Sequence, residues 1–341
     1  MSTNGSGNGL LYLSGADVEM ACREVDPLAC VAQALAAHAA GEVQLPDEAV
    51  LRWEPDGGGM ARTLNMPGLI AGPVPVIGTK IINASIRNPA SGLPRASGLT
   101  LLFNPVTARP EAILQAASIS AMRTAAVSTL AALHLQPDVP QVLGVIGAGP
   151  IARAHILLML EHLRVERVLV CDLVDDRARA LVRELRDLCA IDVEDLADPK
   201  AVVRSADIVV TATTTTTAYV GFDWLKRGAV AVNVSLDDLD EETYLRADRL
   251  YVDDWDLVVA DTQRLLGKLA RAGKIAAPGH DGGRPVDGTL GQLITGACPG
   301  RDDDGQIVVV NPFGMAICDL AIASRVHEVA LLREYGTLLE S

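Results

Sequence analysis

Aromatic side chains are scarce. Three Phe, three Trp and five Tyr make up 3% of the 341 residues, so any core must be built from Ala, Val, Leu and Ile. Positive charge is also short: 29 Lys and Arg face 43 Asp and Glu, a net charge of −14. A nucleic-acid binder needs a basic footprint, which this balance does not supply. It does not stop one local pocket from being basic. No long apolar run resembles a bilayer span. The longest stretch without a charged residue, Thr63 to Thr79, is interrupted by Pro67, Pro73 and Pro75. The opening MSTNGSGNGL lacks the basic and apolar regions of a secretory signal, so a bacterial-type cytoplasm is expected. Six scattered cysteines (Cys22, Cys30, Cys171, Cys189, Cys298, Cys318) show no metal-ligand spacing. Reduced, mostly buried thiols and no metal site are expected.

Two patterns divide what is present. Residues 1–9 read as a polar tail and 14–41 as an Ala-rich helix capped near Ser14 or Asp17. Residues 48–103 read as strands broken by turns at 56–59 and 88–98. Over 118–135, Ile119, Met122, Ala126, Leu130 and Leu133 recur on one helical face, and the helix stops before Pro137. From Gln141 the pattern alternates. VLGVIG, RVLVCD (167–172), ADIVVTAT (206–213), GAVAVNVS (228–235), RLYVDD (249–254) and GQIVVV (305–310) read as buried strands. Helices are expected at about 150–163, 175–189, 255–273 and 285–297, and Asn311 with Pro312 should open a last helix. The fold class is α/β: a Rossmann-type doubly wound parallel sheet over 136–311, inserted in a mixed α+β domain of 1–135 plus 312–341.

Gly147-Ala148-Gly149-Pro150-Ile151-Ala152 fits G-x-G-x-x-A. The motif follows a buried strand, opens a helix and precedes a strand ending in Asp172, which is the context a dinucleotide fingerprint requires. The first glycine permits the turn, the second lets backbone approach a pyrophosphate, and Ala152 keeps helix and strand close. A carboxylate at Asp172 would bind ribose hydroxyls and repel a 2′-phosphate. NAD is therefore expected rather than NADP, although Arg177 and Arg179 stand nearby. Thr211 and Thr213 end the fourth strand, where the ligand crevice of such a sheet lies.

An enzyme that transfers hydride must also hold its substrate. Arg52, Lys80, Arg95 and Arg123 each occur in apolar surroundings in the first third of the chain. Arg123 falls about 60° from the centre of its helix's apolar stripe. Such a cation can bind a carboxylate, or it can pair with a structural acid or reach water.

The runs IINASIRNPASGLPRASGLTLLFNP, ISAMRTAAVSTLAALHL, VIGAGPIARAHI, NVSLDDLD, VDDWD and NPFGMAICDLA resemble the ornithine cyclodeaminase/mu-crystallin family over roughly residues 10–335. The resemblance implies an NAD enzyme acting on a small amino acid as a homodimer, with no nucleic-acid or membrane partner. The outer domain would carry substrate binding and dimerisation. Arg52, Lys80 and Arg123 fall on the family's substrate-carboxylate binders, with Asp319 a further candidate. Asp238 falls on a catalytic aspartate, and Lys80 could assist proton transfer. Asn233 and Ser235 join the expected cofactor-binding residues. The implied reaction is oxidation and hydrolysis of a secondary amine joining glutamate to diaminopropionate. Cyclodeaminase or imine reductase chemistry, or ligand binding without turnover, stay open beside it.

Overall fold

The computed structural model describes residues 9–340 apart from 57, 138 and 140. Residues 1–8 of the expected tail lie outside the described residues, and Gly9 already opens a strand. The chain forms two compact units, 1–123 with 315–341, and 124–314.

The first unit is built on an eight-stranded sheet. From one edge its order is Thr337–Glu340, Gly9–Leu13, Pro110–Gln115, Ala96–Phe103, Val76–Ser85, Ala61–Ile70 and Val43–Gln44, and Ala49–Trp53 also pairs with Ala61–Ile70. Its centre is a long hairpin in which Ala61–Ile70 and Val76–Ser85 run antiparallel, setting Met66 opposite Lys80 and Gly68 opposite Gly78. The last helix, Ala316–Arg333, lies on those two glycines. A Cβ at Gly78 would stand 2.8 Å from a Leu320 methyl, and one at Gly68 would stand 3.2 Å from the other. The missing side chains thus let the helix close on the sheet beside Lys80. The single helix expected over 14–41 is two helices, Gly15–Cys22 and Pro27–Ala39. Ser14 and Asp17 form a capping box on the first, while the Asp26 carboxylate caps the second. Pro27 has no N–H and cannot continue the preceding turn, so the chain restarts there.

The second unit holds an all-parallel sheet in the order Asp192–Asp195, Val165–Cys171, Gln141–Ile146, Ile208–Thr211, Val230–Asn233, Val308–Asn311, Arg249–Val252, Gly288–Thr289. The third to seventh of these strands are almost wholly buried, the mark of a sheet covered on both faces. Three expectations need correction. The helix over 255–273 is broken into Trp255–Ala260 and Leu265–Arg271, because the Asp261 carboxylate accepts N–H bonds from Gln263 and Arg264 in a turn. The helix over 285–297 shrinks to Leu290–Ile294, started by a Thr289–Gln292 capping box. Asn311 does not cap the last helix, which begins at Ala316 after Met315. It ends a strand instead, and its side-chain oxygen accepts from Tyr244 and Asn233.

The unit boundary falls inside helix Ala116–Leu135, after Arg123, whereas the pattern suggested a boundary at 135. Ser128 shows why the later turns group with the parallel sheet. Its Oγ lies 2.8 Å from Nε2 of buried His155 on helix Pro150–His162. His155 Nδ1 lies 2.7 Å from the Ile151 carbonyl, to which it donates. Helix Ala116–Leu135 is long and apolar enough by composition to cross a membrane, yet it carries Arg123 and is largely buried in protein. None of the six cysteines forms a disulfide. Burial pushes Cys22 up to about 12 and Cys171 up to about 11, so both are inert thiols.

Candidate functional site

In the first unit, four residues from three distant segments meet. Lys80 Nζ lies 2.8 Å from Asp319 Oδ1 and 2.8 Å from Ser120 Oγ. Arg123 Nε lies 3.0 Å from the other Asp319 oxygen. Asp319 is completely buried and the Lys80 side chain is 3% exposed, whereas the Arg123 side chain retains 12%. The sheet supplies Lys80 from its central hairpin. Helix Ala116–Leu135 supplies Ser120 and Arg123 one turn apart, and the first turn of the last helix supplies Asp319. Burial pushes the Lys80 ammonium from its ordinary 10.5 down to about 8, with Asp319 pulling it back up and Arg123 adding repulsion. Asp319 is thus the shared counter-ion of two cations. Arg52 stands apart on the exposed strand Ala49–Trp53, opposite Arg62. Ser120 was not foreseen. Its place three residues before Arg123, on the same helical face, was the available signal.

In the second unit, the glycine turn has the geometry its motif demands. Gly147 has φ +104°, and a Cβ there would stand 2.5 Å from the Ala212 carbonyl oxygen. No larger residue fits that conformation or that space. Gly149 is the N-cap of helix Pro150–His162, and the position its Cβ would take is open. Pro150 occupies the first turn, followed by Ile151 and fully buried Ala152. The helix N-terminus therefore points free N–H groups and its positive dipole end into open space, an arrangement suited to phosphate. Asp172 accepts from the Ala148 N–H at 2.8 Å and the Val174 N–H at 2.9 Å. It braces the glycine turn. Arg179 is held by Asp175 and Asp176, with Asp195 at 3.9 Å, which occupies it as a partner for a 2′-phosphate.

The remaining residues knit the ends of the strands together. Thr211 donates to the Asn233 side-chain oxygen at 2.7 Å, and the Asn233 amide donates to Tyr244 and Asn311. Both are buried, and their side chains are engaged inside the protein. Asp238 is also fully buried. It accepts from Thr213 Oγ1 at 2.7 Å, from the Tyr219 hydroxyl at 2.8 Å, and from Ser235. Burial nonetheless pushes its carboxyl above the usual range, against the pull of these three donors. Tyr219 had no local signal in the sequence. Neighbouring Asp237 caps helix Leu265–Arg271, accepting the Leu265 N–H at 2.6 Å.

Residues 11–334 match the sequence profile of the ornithine cyclodeaminase/mu-crystallin family. A curated relative from Staphylococcus aureus, N-((2S)-2-amino-2-carboxyethyl)-L-glutamate dehydrogenase, is 35% identical over 97% of this chain and 98% of its own. Among solved structures, CmnK superposes with a TM-score of 0.89 at 35% identity, covering 98% of both chains. An archaeal alanine dehydrogenase, described as a dimer with bound NAD, superposes with a TM-score of 0.82 at 25% identity, covering 97% of this chain and 99% of its own.

Proposed function

The chain belongs to the ornithine cyclodeaminase/mu-crystallin family, and from that premise we propose that it catalyses NAD-dependent oxidative hydrolysis of N-(2-amino-2-carboxyethyl)-L-glutamate, releasing L-2,3-diaminopropionate and 2-oxoglutarate. The observation that carries this is the end-to-end match, at 35% identity, to the Staphylococcus aureus enzyme of that name.

The cofactor fits the second unit. The Gly147–Ala152 turn and the N-terminus of helix Pro150–His162 would hold its pyrophosphate, and Asp172 its ribose. When bound, NAD⁺ supplies a hydride acceptor for the glutamyl Cα–H. Loss of that hydride, driven by the lone pair on the bridging nitrogen, leaves the substrate as an imine. Water adds to the imine carbon, and cleavage of the C–N bond returns the electron pair to nitrogen. The products are the keto acid, the diamine, NADH and one proton.

The chain's own groups position and move protons. Lys80 and Arg123 hold a substrate carboxylate, with Asp319 fixing both cations and cancelling one of their charges. With its affinity for protons lowered by burial, Lys80 also suits proton transfer near neutrality. Asp238, reached through the Tyr219 and Thr213 hydroxyls that donate to it, is the proton acceptor we assign for the amine or the attacking water. Arg52 is assigned to substrate binding, and Thr211, Thr213, Asn233 and Ser235 to the floor beneath the cofactor. The first unit serves substrate binding and dimerisation, and the second binds NAD. We take the enzyme to be a cytoplasmic homodimer supplying diaminopropionate for siderophore or peptide natural products.

The test is to supply the conjugate with NAD⁺ and analyse the products. One NADH, one 2-oxoglutarate and one L-2,3-diaminopropionate per turnover are expected. Absence of NADH with the conjugate, together with conversion of L-ornithine to proline and ammonia, would place the enzyme among the cyclodeaminases.

A further inference from the structure

Among the described residues, no acid is ion-paired with two arginines that face each other in the first unit. Arg52 and Arg62 are direct cross-strand partners on Ala49–Trp53 and Ala61–Ile70, so their side chains leave the same face of the sheet. Arg62 in turn faces Ala84 on Val76–Ser85. Arg95 sits one strand further on, where its carbonyl accepts the Ser85 N–H at 3.0 Å. Ser85 follows Ala84 on its strand, so Arg95 leaves the face opposite to Arg62, although the Arg62 charge still reaches it and adds to the larger effect of burial. Like charges facing one another cost free energy. Among the described residues none of the three forms an ion pair with an Asp or Glu. That differs from Lys80 and Arg123, which share Asp319.

Register ties this cluster to the Lys80 site. Lys80 and Ala84 are four residues apart on one strand and point to the same face, about 13 Å along it. Arg62 is paired with Ala84, so it stands on the Lys80 face at that distance. An arginine spans roughly half the gap when extended, which leaves the length of a five-carbon dicarboxylate between the two sets of cations.

We infer that Arg62, beside Arg52, forms a second carboxylate subsite that takes the distal carboxylate of the substrate. The inference rests on the proposed tricarboxylate substrate and names what reads its far end. Charge supports it. The two cations around Lys80 face two acids, buried Asp319 and Glu48, whose charge also reaches Lys80, so no net positive charge is left there, whereas the conjugate carries three carboxylates. The same arginines repel the side-chain ammonium of ornithine, so they also select against the family's diamine chemistry.

The test separates this subsite from the overall reaction. Arg62→Gln is titrated calorimetrically with 2-oxoglutarate and with 2-oxobutyrate, which lacks the distal carboxylate. The substitution should weaken 2-oxoglutarate about tenfold, the loss of one charge-assisted hydrogen bond, and leave 2-oxobutyrate unchanged. KM for the conjugate should rise by about the same factor, with kcat within about twofold, since the interaction is made equally in ground and transition states. Arg62→Lys should recover part of the loss. Equal effects on both keto acids, or none, overturn the subsite even if the conjugate turns over normally. Selective loss of 2-oxoglutarate in an enzyme that does not process the conjugate leaves the subsite standing and removes the proposed reaction.

Discussion

Asp319 Oδ1 lies 2.8 Å from Lys80 Nζ, and the two residues, 239 positions apart in the chain, are both buried. Removing the acid leaves two uncompensated cations in a dry site. Asp319→Ala should lower unfolding free energy by about 3–5 kcal/mol, the range for breaking a buried ion pair from one side. Denaturant unfolding measures this directly. A change within about 0.5 kcal/mol would show that Asp319 does not act as the buried counter-ion.

The depressed proton affinity of Lys80 sets a pH dependence. Its folded value of about 8 lies below the ordinary 10.5, so between these the unfolded chain binds the proton and the folded one does not. Through this group, stability rises with pH across that window. Below about 8 both states are protonated, and the folded state bears the full cost of a buried ammonium. Substrate affinity runs the other way, because the ammonium that holds the carboxylate is lost above about 8. The kcat/KM profile should fall on an alkaline limb near that value, and Lys80→Arg should move the limb out of the measurable range. An unchanged limb in Lys80→Arg would assign it to another group.

Sequence pattern and structure agree where the determinants are local. The Gly147–Ala152 turn was legible because strand, turn and helix are adjacent and each glycine answers a steric demand. The Ser14–Asp17 cap was legible for the same reason. Helix Ala116–Leu135 showed itself by periodicity, whereas the place of Arg123 at the stripe's edge left a bound carboxylate, a structural acid and water all open. By contrast, nothing near Lys80 announces Asp319, since their meeting depends on the last helix settling on Gly68 and Gly78. Breaks were missed where one residue outweighed propensity, as Pro27 does in the first helical stretch and Asp261 between Ala260 and Leu265. Asn311 misled because an Asn-Pro pair suits a helix start equally well. Here the side chain is used to tie strand ends through Tyr244 and Asn233.

Asp172 should govern NAD affinity. Asp172→Ala removes both the carboxylate assigned to the ribose and the acceptor of the Ala148 N–H. NADH binding followed by fluorescence should weaken at least about tenfold, with 2-oxoglutarate binding unaffected. Wild-type NADH affinity in the variant would refute the ribose assignment.

Tyr219 should tune Asp238. Its hydroxyl is one of three donors that favour the ionised carboxylate, so Tyr219→Phe removes one and lets burial raise the proton affinity further. The acid limb of kcat/KM should move to higher pH and kcat should fall, while KM at the pH optimum stays within about twofold. A purely structural tyrosine would leave the limb where it was.

The central claim is that hydride leaves the glutamyl Cα of the conjugate. Conjugate deuterated only at that carbon, incubated with NAD⁺, tests it most directly by mass spectrometry of the reduced cofactor. Monodeuterated NADH, formed in step with 2-oxoglutarate, is the predicted result. Unlabelled NADH, or label retained in the organic products, would contradict it.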